Sequence, residues 1–195
     1  MVDRELLATG VLADLPETPE ALSSETVYDG IVWDIRRDRF RFAGRELQRE
    51  LVDHPGAVAV LALDEEERVL LINQYRAPVR MREWELPAGL LDVPGEDPLE
   101  AARRELAEEV DLQASVWSPL STFHTSPGGS NEVIHVFEAR GLSDSPEPFA
   151  RVDEEAEIVS RWVPLAEAVE AVLDGRLRNS ILIIALLAAH ARRAV

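Results

Sequence analysis

Three glutamates, Glu105, Glu108 and Glu109, crowd the stretch GEDPLEAARRELAEEV, residues 95–110. On a helix successive residues turn by about 100° and rise about 1.5 Å, so Glu105 and Glu109 stack with Glu108 beside them. Like charges at this spacing repel and weaken a helix. Carboxylates gathered in this way suit one kind of chemistry: they hold hard divalent cations, which take oxygen ligands and in turn grip phosphates. The plainer reading is a solvated acidic face, the usual fate of a charge run. The flanks favour the cation: Gly89 begins a loop that feeds the helix, Glu96 lies in that loop, and Arg104 stands directly before the first glutamate.

The elements that must position these groups can be read outward from the helix. Asp97 fits an N-cap and Pro98 the first helical position. Leu99, Ala102 and Leu106 make an apolar stripe opposite the glutamates. Upstream, AVAVLAL and VLLINQY flank the acidic run DEEER and read as a hairpin of buried strands, followed by a short strand in WELPAG that ends at Pro87 and Gly89. Further strands are expected near 115–124, 132–139 and 157–163. A helix over 165–174 should end at Gly175, and a last one over 179–193 should be capped by Asn179 or Ser180. Residues 1–26 read as an irregular arm. Residues 27–53 read as three antiparallel strands turning near Arg36-Arg37-Asp38 and Ala43-Gly44-Arg45. His54-Pro55-Gly56 marks a boundary. The expected class is α/β: a small β element, 1–53, followed by a domain of mixed sheet and helices, 54–195.

Composition narrows the partners. The chain has 195 residues, 46% hydrophobic and 29% charged, enough for a sizeable core. A formal charge of -17 disfavours a nucleic-acid backbone or an anionic membrane. A bound cation can still reverse the local field for a small anionic substrate. There is no cysteine, which excludes disulfides and thiolate metal sites and permits a cytoplasmic address. The first twenty residues lack the basic-then-apolar pattern of a secretory leader. SILIIALLAAHA, 180–191, is too short to span a bilayer and reads as a buried helix. All 20 basic residues are arginine, which reads as genome composition first and as phosphate-binding pockets second.

The run from Gly89 to Leu112 resembles the signature of the Nudix hydrolases. It keeps Gly89, Glu96, Arg104, Glu105, Leu106, Glu108, Glu109 and Leu112 in order. It departs twice: six residues rather than five separate Gly89 from Glu96, and Asp111 replaces the closing glycine. That closing position resembles a helix C′ site of positive φ, which Asp adopts at modest cost. The resemblance implies a Nudix-type α/β/α sandwich with a mixed sheet, preceded by the small antiparallel β domain. It implies Mg²⁺ or Mn²⁺ held by Glu105, Glu108 and Glu109 with the Ala88 carbonyl, and Glu96 paired with Arg104 to orient those ligands. The alternative for that pair is an ordinary surface ion pair.

Pro127, in TSPGGSNE and 15 residues beyond Leu112, resembles the ADP-ribose pyrophosphatase subgroup, although Ser-Pro-Gly-Gly is turn chemistry in any case. NQYRAPVRMREWELPAGLLDV, RWVPLAEAV and NSILIIALLAAHA are similar to bacterial members of that subgroup. The resemblance implies hydrolysis of ADP-ribose to AMP and ribose 5-phosphate by a homodimer with its substrate between subunits. In that reading Trp33 stacks on adenine, or else is a core or interface aromatic. Arg49 and Arg76 hold phosphate or ribose, or else make surface salt bridges, and Glu132 faces the substrate. The catalytic base falls in the acidic loop RVDEEAEIV, at Glu154 with Glu155 second. Two other readings stay open: a Nudix pyrophosphatase for another nucleoside diphosphate sugar or a modified nucleotide, and a sensor that binds ADP-ribose without cleaving it.

Overall fold

The computed structural model describes residues 10–146, 149 and 157–193. The chain divides into one unit of Met1–His54 with Gly128–Asn131, and a second of Pro55–Pro127 with Glu132–Val195.

In the first unit, β1 (Glu20–Tyr28), β2 (Asp34–Phe42) and β3 (Arg45–Asp53) form an antiparallel sheet in the order β1-β2-β3. Ala43 and Gly44 join β2 to β3 with φ of 50° and 76°, the left-handed pair that matches strand twist in a two-residue hairpin. Arg36-Arg37-Asp38 does not turn. It lies within β2, where Arg36 reaches Asp53 at 2.7 Å and Arg37 reaches Glu50 and Glu25 at 3.0 and 3.2 Å. These cross-strand pairs let a charged run sit in a sheet, and the chain reverses at residues 29–33 instead. β1 begins within the segment read as irregular. Its residues are exposed on nearly both faces, so no alternation marks it, and its pairing with β2 makes it a strand. Residues 128–131 belong here because Val52 N–H donates to the Gly129 carbonyl (2.9 Å) and His54 N–H to Asn131 Oδ1 (2.8 Å). Among the described residues of this unit none is buried.

The second unit is built on β4 (Ala57–Ala62), buried at every position. Val58, Val60 and Ala62 pack on one side with Ala101, Ala102 and Leu106 of α1 (Pro98–Val110). Ala57, Ala59 and Leu61 face the other way, toward α2 (Leu165–Leu173) and α3 (Ser180–Arg193), through Leu165, Ala168, Leu182 and Leu186. Period two on a strand and period 3.6 on the helices thus produce a helix–sheet–helix sandwich.

β4 and β5 (Arg68–Arg76) meet as in a hairpin only at the turn, through the antiparallel bridge Leu63↔Val69 and Asp64 N–H donating to the Arg68 carbonyl at 3.1 Å, and no ladder continues from it. β4 pairs in parallel with β9 (Val133–Asp144) and antiparallel with β7 (Ala88–Leu90), in the order β7-β4-β9-β8 with β8 at Leu112–His124. β5 enters a separate sheet, β10-β5-β6, with β6 at Met81–Glu85 and β10 at Val159–Pro164. Two strands that are apolar at almost every position each need cover on both faces, which separate sheets provide. Asp64 makes the handover, its carboxylate accepting from Glu66 N–H (3.1 Å) and Arg68 N–H (2.8 Å). No helix among the described residues is long and apolar enough to cross a membrane.

An ion-pair cluster ties this turn to β9 and the end of α3. Glu67 accepts from Arg140 at 2.6 and 2.9 Å and from Arg193 at 3.1 Å, while Glu138 accepts from Arg140 at 2.7 Å and Arg193 at 2.9 Å. The Arg140 hydrogen bond is the main reason that the Glu67 carboxyl sits below its ordinary 4.5; burial opposes it and Arg193 adds to it. A carboxyl lowered on folding adds stability that is complete above its ordinary pKa and is lost as pH falls through the lower, folded value. The melting temperature should therefore drop as the solution is acidified below 4.5. Arg140→Ala should flatten part of that drop, a modest part because Glu67 is half exposed. Melting curves across this range for both proteins check it, and parallel curves would refute the link.

Candidate active site

α1 starts where its local chemistry dictates. Asp97 Oδ1 accepts from Leu99 N–H at 2.8 Å and Pro98 occupies the first turn. One face of the helix, Ala101, Ala102 and Leu106, goes into the core, which leaves the glutamates along its edge. Glu109 is only 7% exposed, and its Oε2 accepts from Ala88 N–H at 2.9 Å. β7, which carries Ala88 and Gly89, is held by β4 through Val58↔Gly89 and Ala59↔Ala88. Gly89 leaves room for Glu105 where it lies: a Cβ there would come 2.0 to 2.4 Å from the Glu105 carboxylate.

Arg104 links the remaining acids. Its Nε and Nη2 donate to the two Glu96 oxygens at 3.2 and 3.1 Å, and its Nη1 donates to Glu105 Oε1 at 2.6 Å and Glu108 Oε2 at 3.0 Å. The Glu96 hydrogen bond leads in pushing the guanidinium pKa further up; burial opposes it, and Glu105 and Glu108 reinforce it. The carboxylate repulsion expected for this helix is thus offset by a cation from the helix itself.

The donor chemistry fits a hard divalent ion: carboxylates of Glu105, Glu108 and Glu109, a nearby backbone carbonyl at Ala88, and no sulfur or imidazole in the group. Among the described residues no three acidic or imidazole side chains converge as a ready ligand set. The hydrogen bonds explain that: Arg104 engages two of the glutamates and a backbone N–H engages the third.

The closing residue of α1, Asp111, has φ 56° and ψ 33°, the left-handed cap that the sequence position requires. Its own N–H donates back to the Ala107 carbonyl at 3.0 Å. The side chain that glycine would lack is put to use, since Asp111 Oδ1 accepts from Phe149 N–H at 2.9 Å. Its carbonyl accepts from Ser145 N–H at 2.7 Å.

Of the other residues singled out, Arg76 on β5 donates through Nε and Nη2 to Glu85 at 2.9 and 2.7 Å. Glu85 was not anticipated: it ends a strand, Met81-Arg82-Glu83-Trp84-Glu85, that already carries two other charged residues, so only its burial sets it apart. Thr125 Oγ1 donates to Glu132 Oε2, and Pro127 precedes the glycine pair of the same loop. Trp33 and Arg49 belong to the first unit. Trp33 stacks obliquely on His54, with ring centroids 5.6 Å apart, and stays 45% exposed. Arg49 donates to the Gln48 carbonyl at 2.7 Å. Glu154 and Glu155 lie outside the described residues.

The NUDIX domain model matches residues 53–183. The chain is 47% identical to an ADP-ribose pyrophosphatase of Mycobacterium tuberculosis over 173 residues, covering 88% of this chain and 83% of that protein. That is more than residues 54–195 can supply, so the likeness reaches into the N-terminal unit. An ADP-ribose pyrophosphatase of Bacillus subtilis is 36% identical over 154 residues, 78% of this chain and 82% of the relative. The fold is similar to the crystal structure of an ADP compounds hydrolase, with TM-score 0.75 and 22% identity over 92% of this chain and 96% of the other.

Proposed function

The chain belongs to the NUDIX family of hydrolases, and from that premise we propose that it cleaves the pyrophosphate bond of ADP-ribose with water, giving AMP and ribose 5-phosphate. The observation that carries the substrate is the 47% identity to an enzyme named for it, spread over 88% of the chain. NUDIX ADP-ribose pyrophosphatases depend on divalent metal; here the proposed ion is Mg²⁺, with Mn²⁺ as its substitute. When bound, such ions supply charge neutralisation at the diphosphate and a more acidic water.

The protein's own groups have separate tasks in this reading. Glu105, Glu108, Glu109 and the Ala88 carbonyl hold the metal. Ala88 N–H holds Glu109 and Arg104 holds Glu105 and Glu108, so the three carboxylates that would take the ion are each positioned by a neighbouring donor. Arg104 remains bidentate on Glu96, which keeps the guanidinium beside the ligands it orients. Arg76 and Arg49 hold phosphate or ribose oxygens through forked hydrogen bonds. Trp33 offers a half-exposed ring to adenine, with Glu132 and Pro127 shaping the substrate side. Glu154, or Glu155 beside it, takes the proton from the attacking water.

A homodimer is part of the proposal. A three-stranded sheet with no buried residue among those described lacks the apolar burial that gives such a sheet independent stability. Val27, Tyr28 and Phe42 are exposed on it, with Val32 in the turn between its first two strands, and a second copy would cover them. A cytoplasmic setting suits a chain without cysteine.

The deciding experiment is chromatographic product analysis with ADP-ribose, with and without Mg²⁺, beside GDP-mannose and an oxidised nucleoside triphosphate. AMP and ribose 5-phosphate should form only with metal. Turnover of another substrate with ADP-ribose left intact would overturn the assignment.

A further inference from the structure

We propose that Glu85 is a positioning residue that sets the guanidinium of Arg76 for a substrate phosphate, an inference that rests on the reading of Arg76 as a phosphate ligand. Glu85 is 4% exposed. Its two oxygens accept Arg76 Nε at 2.9 Å and Nη2 at 2.7 Å, and Gln74 Nε2 approaches the second oxygen at 3.4 Å. A carboxylate this deep needs a cation and additional donors, and here it has both. The arginine it holds is different: 45% of the Arg76 side chain remains exposed. A flexible side chain, nearly half of it exposed, is thus clamped along one edge of its planar head. That is how a fork is pre-oriented for an anion instead of sweeping through its rotamers.

The placement adds to the argument. On β5 and β6 the register Ile72↔Glu85, Gln74↔Glu83 and Arg76↔Met81 sets Arg76, Gln74 and Glu85 on one face of the sheet. Arg76 therefore reaches back along the strands, past the Gln74–Glu83 pair, to find its partner. Glu85 also opens the segment that continues through buried Leu86 to Pro87, Ala88 and Gly89. Val60 N–H holds the Pro87 carbonyl at 2.8 Å, Ala88 N–H holds Glu109, and Gly89 abuts Glu105. One short stretch thus fixes the arginine through a side chain at one end and the acidic centre through its backbone at the other. A two-phosphate substrate would need those two points in constant register.

The test compares wild type, Glu85→Gln, Arg76→Ala, the double variant and Arg76→Lys with Mg²⁺ present. It measures KM and kcat for ADP-ribose and calorimetric affinity for its hydrolysis-resistant α,β-methylene analogue. Arg76→Ala should raise KM by about tenfold, the scale of a lost charge-assisted fork. Glu85→Gln should raise KM and weaken the analogue by a similar factor with kcat within about twofold, and the double variant should be no worse than Arg76→Ala, because the two act as one unit. If Glu85→Gln melts early yet binds normally while Arg76→Ala binds weakly, the pair is merely structural and the positioning role falls alone. If Arg76→Ala binds normally, the phosphate role of Arg76 falls and takes this proposal with it. Should Glu85→Gln fail to fold, Arg76→Lys decides: the charge stays and the fork is gone, so an unchanged KM overturns the proposal and a raised one supports it.

Discussion

Glu109→Gln should lower kcat on ADP-ribose by a factor on the order of 10³, the scale on which a buried charge-stabilising group acts, with the fold intact. The substitution keeps size and shape. The amide oxygen of glutamine can still accept the 2.9 Å hydrogen bond from Ala88 N–H, so the contact between α1 and β7 survives. What disappears is a negative charge at a site 7% exposed, where little water reaches to compensate for it. A metal ligand made neutral binds the ion and the phosphates behind it more weakly, while the core of Ala101, Ala102 and Leu106 is untouched. Steady-state kinetics at saturating Mg²⁺, read beside a thermal melt, check this. A variant that turns over at the wild-type rate would remove the metal role from Glu109.

Gly89→Ala makes a sharper separation between folding and chemistry. The added methyl would meet the Glu105 carboxylate at 2.0 to 2.4 Å, far inside contact distance. Gly89 does not have the positive φ that forces glycine elsewhere, as at Gly44 or Gly95, so the backbone itself tolerates alanine. The atoms in the way are the far end of a flexible side chain, and Glu105 can swing aside. Stability should therefore change by no more than about 1 kcal/mol, at the low end of overpacking. Activity should fall about a hundredfold, because a displaced ligand or phosphate clamp costs that much when geometry slips by an ångström. A large loss of melting temperature with activity retained per folded molecule would contradict this account.

Glu105 and its neighbours were legible in the sequence because everything that positions them is local. The cap at Asp97, the proline after it, the spacing of the glutamates and the left-handed Asp111 all lie within one helix and its ends, and sequence patterns report such short-range chemistry directly. Glu85 was not legible for the opposite reason. Its importance depends on a diagonal contact across the β5–β6 register, and on burial that a lone acid in WELPAG does not announce. The hairpin of AVAVLAL and VLLINQY holds only at its tip, the Leu63↔Val69 bridge, and the rest fails in the same way. Two uniformly apolar runs joined by a short acidic turn fit a hairpin and a change of sheet equally well, and only the partners β9, β7, β6 and β10, remote in sequence, decide between them. The mistaken turn at Arg36-Arg37-Asp38 followed from taking charge as a loop signal. Ion pairs to Asp53, Glu50 and Glu25 make that charge compatible with a strand.

Arg104 has an implication beyond orientation. By resting against Glu96, Glu105 and Glu108 it serves the helix as a resident counter-ion. Where a structural zinc site unravels once stripped, this scaffold carries its own substitute for the departing charge. Chelation should silence such an enzyme without unravelling it. The dormant form would await resupply of the ion as a folded reserve, so that cation availability governs output and leaves the amount of intact protein alone.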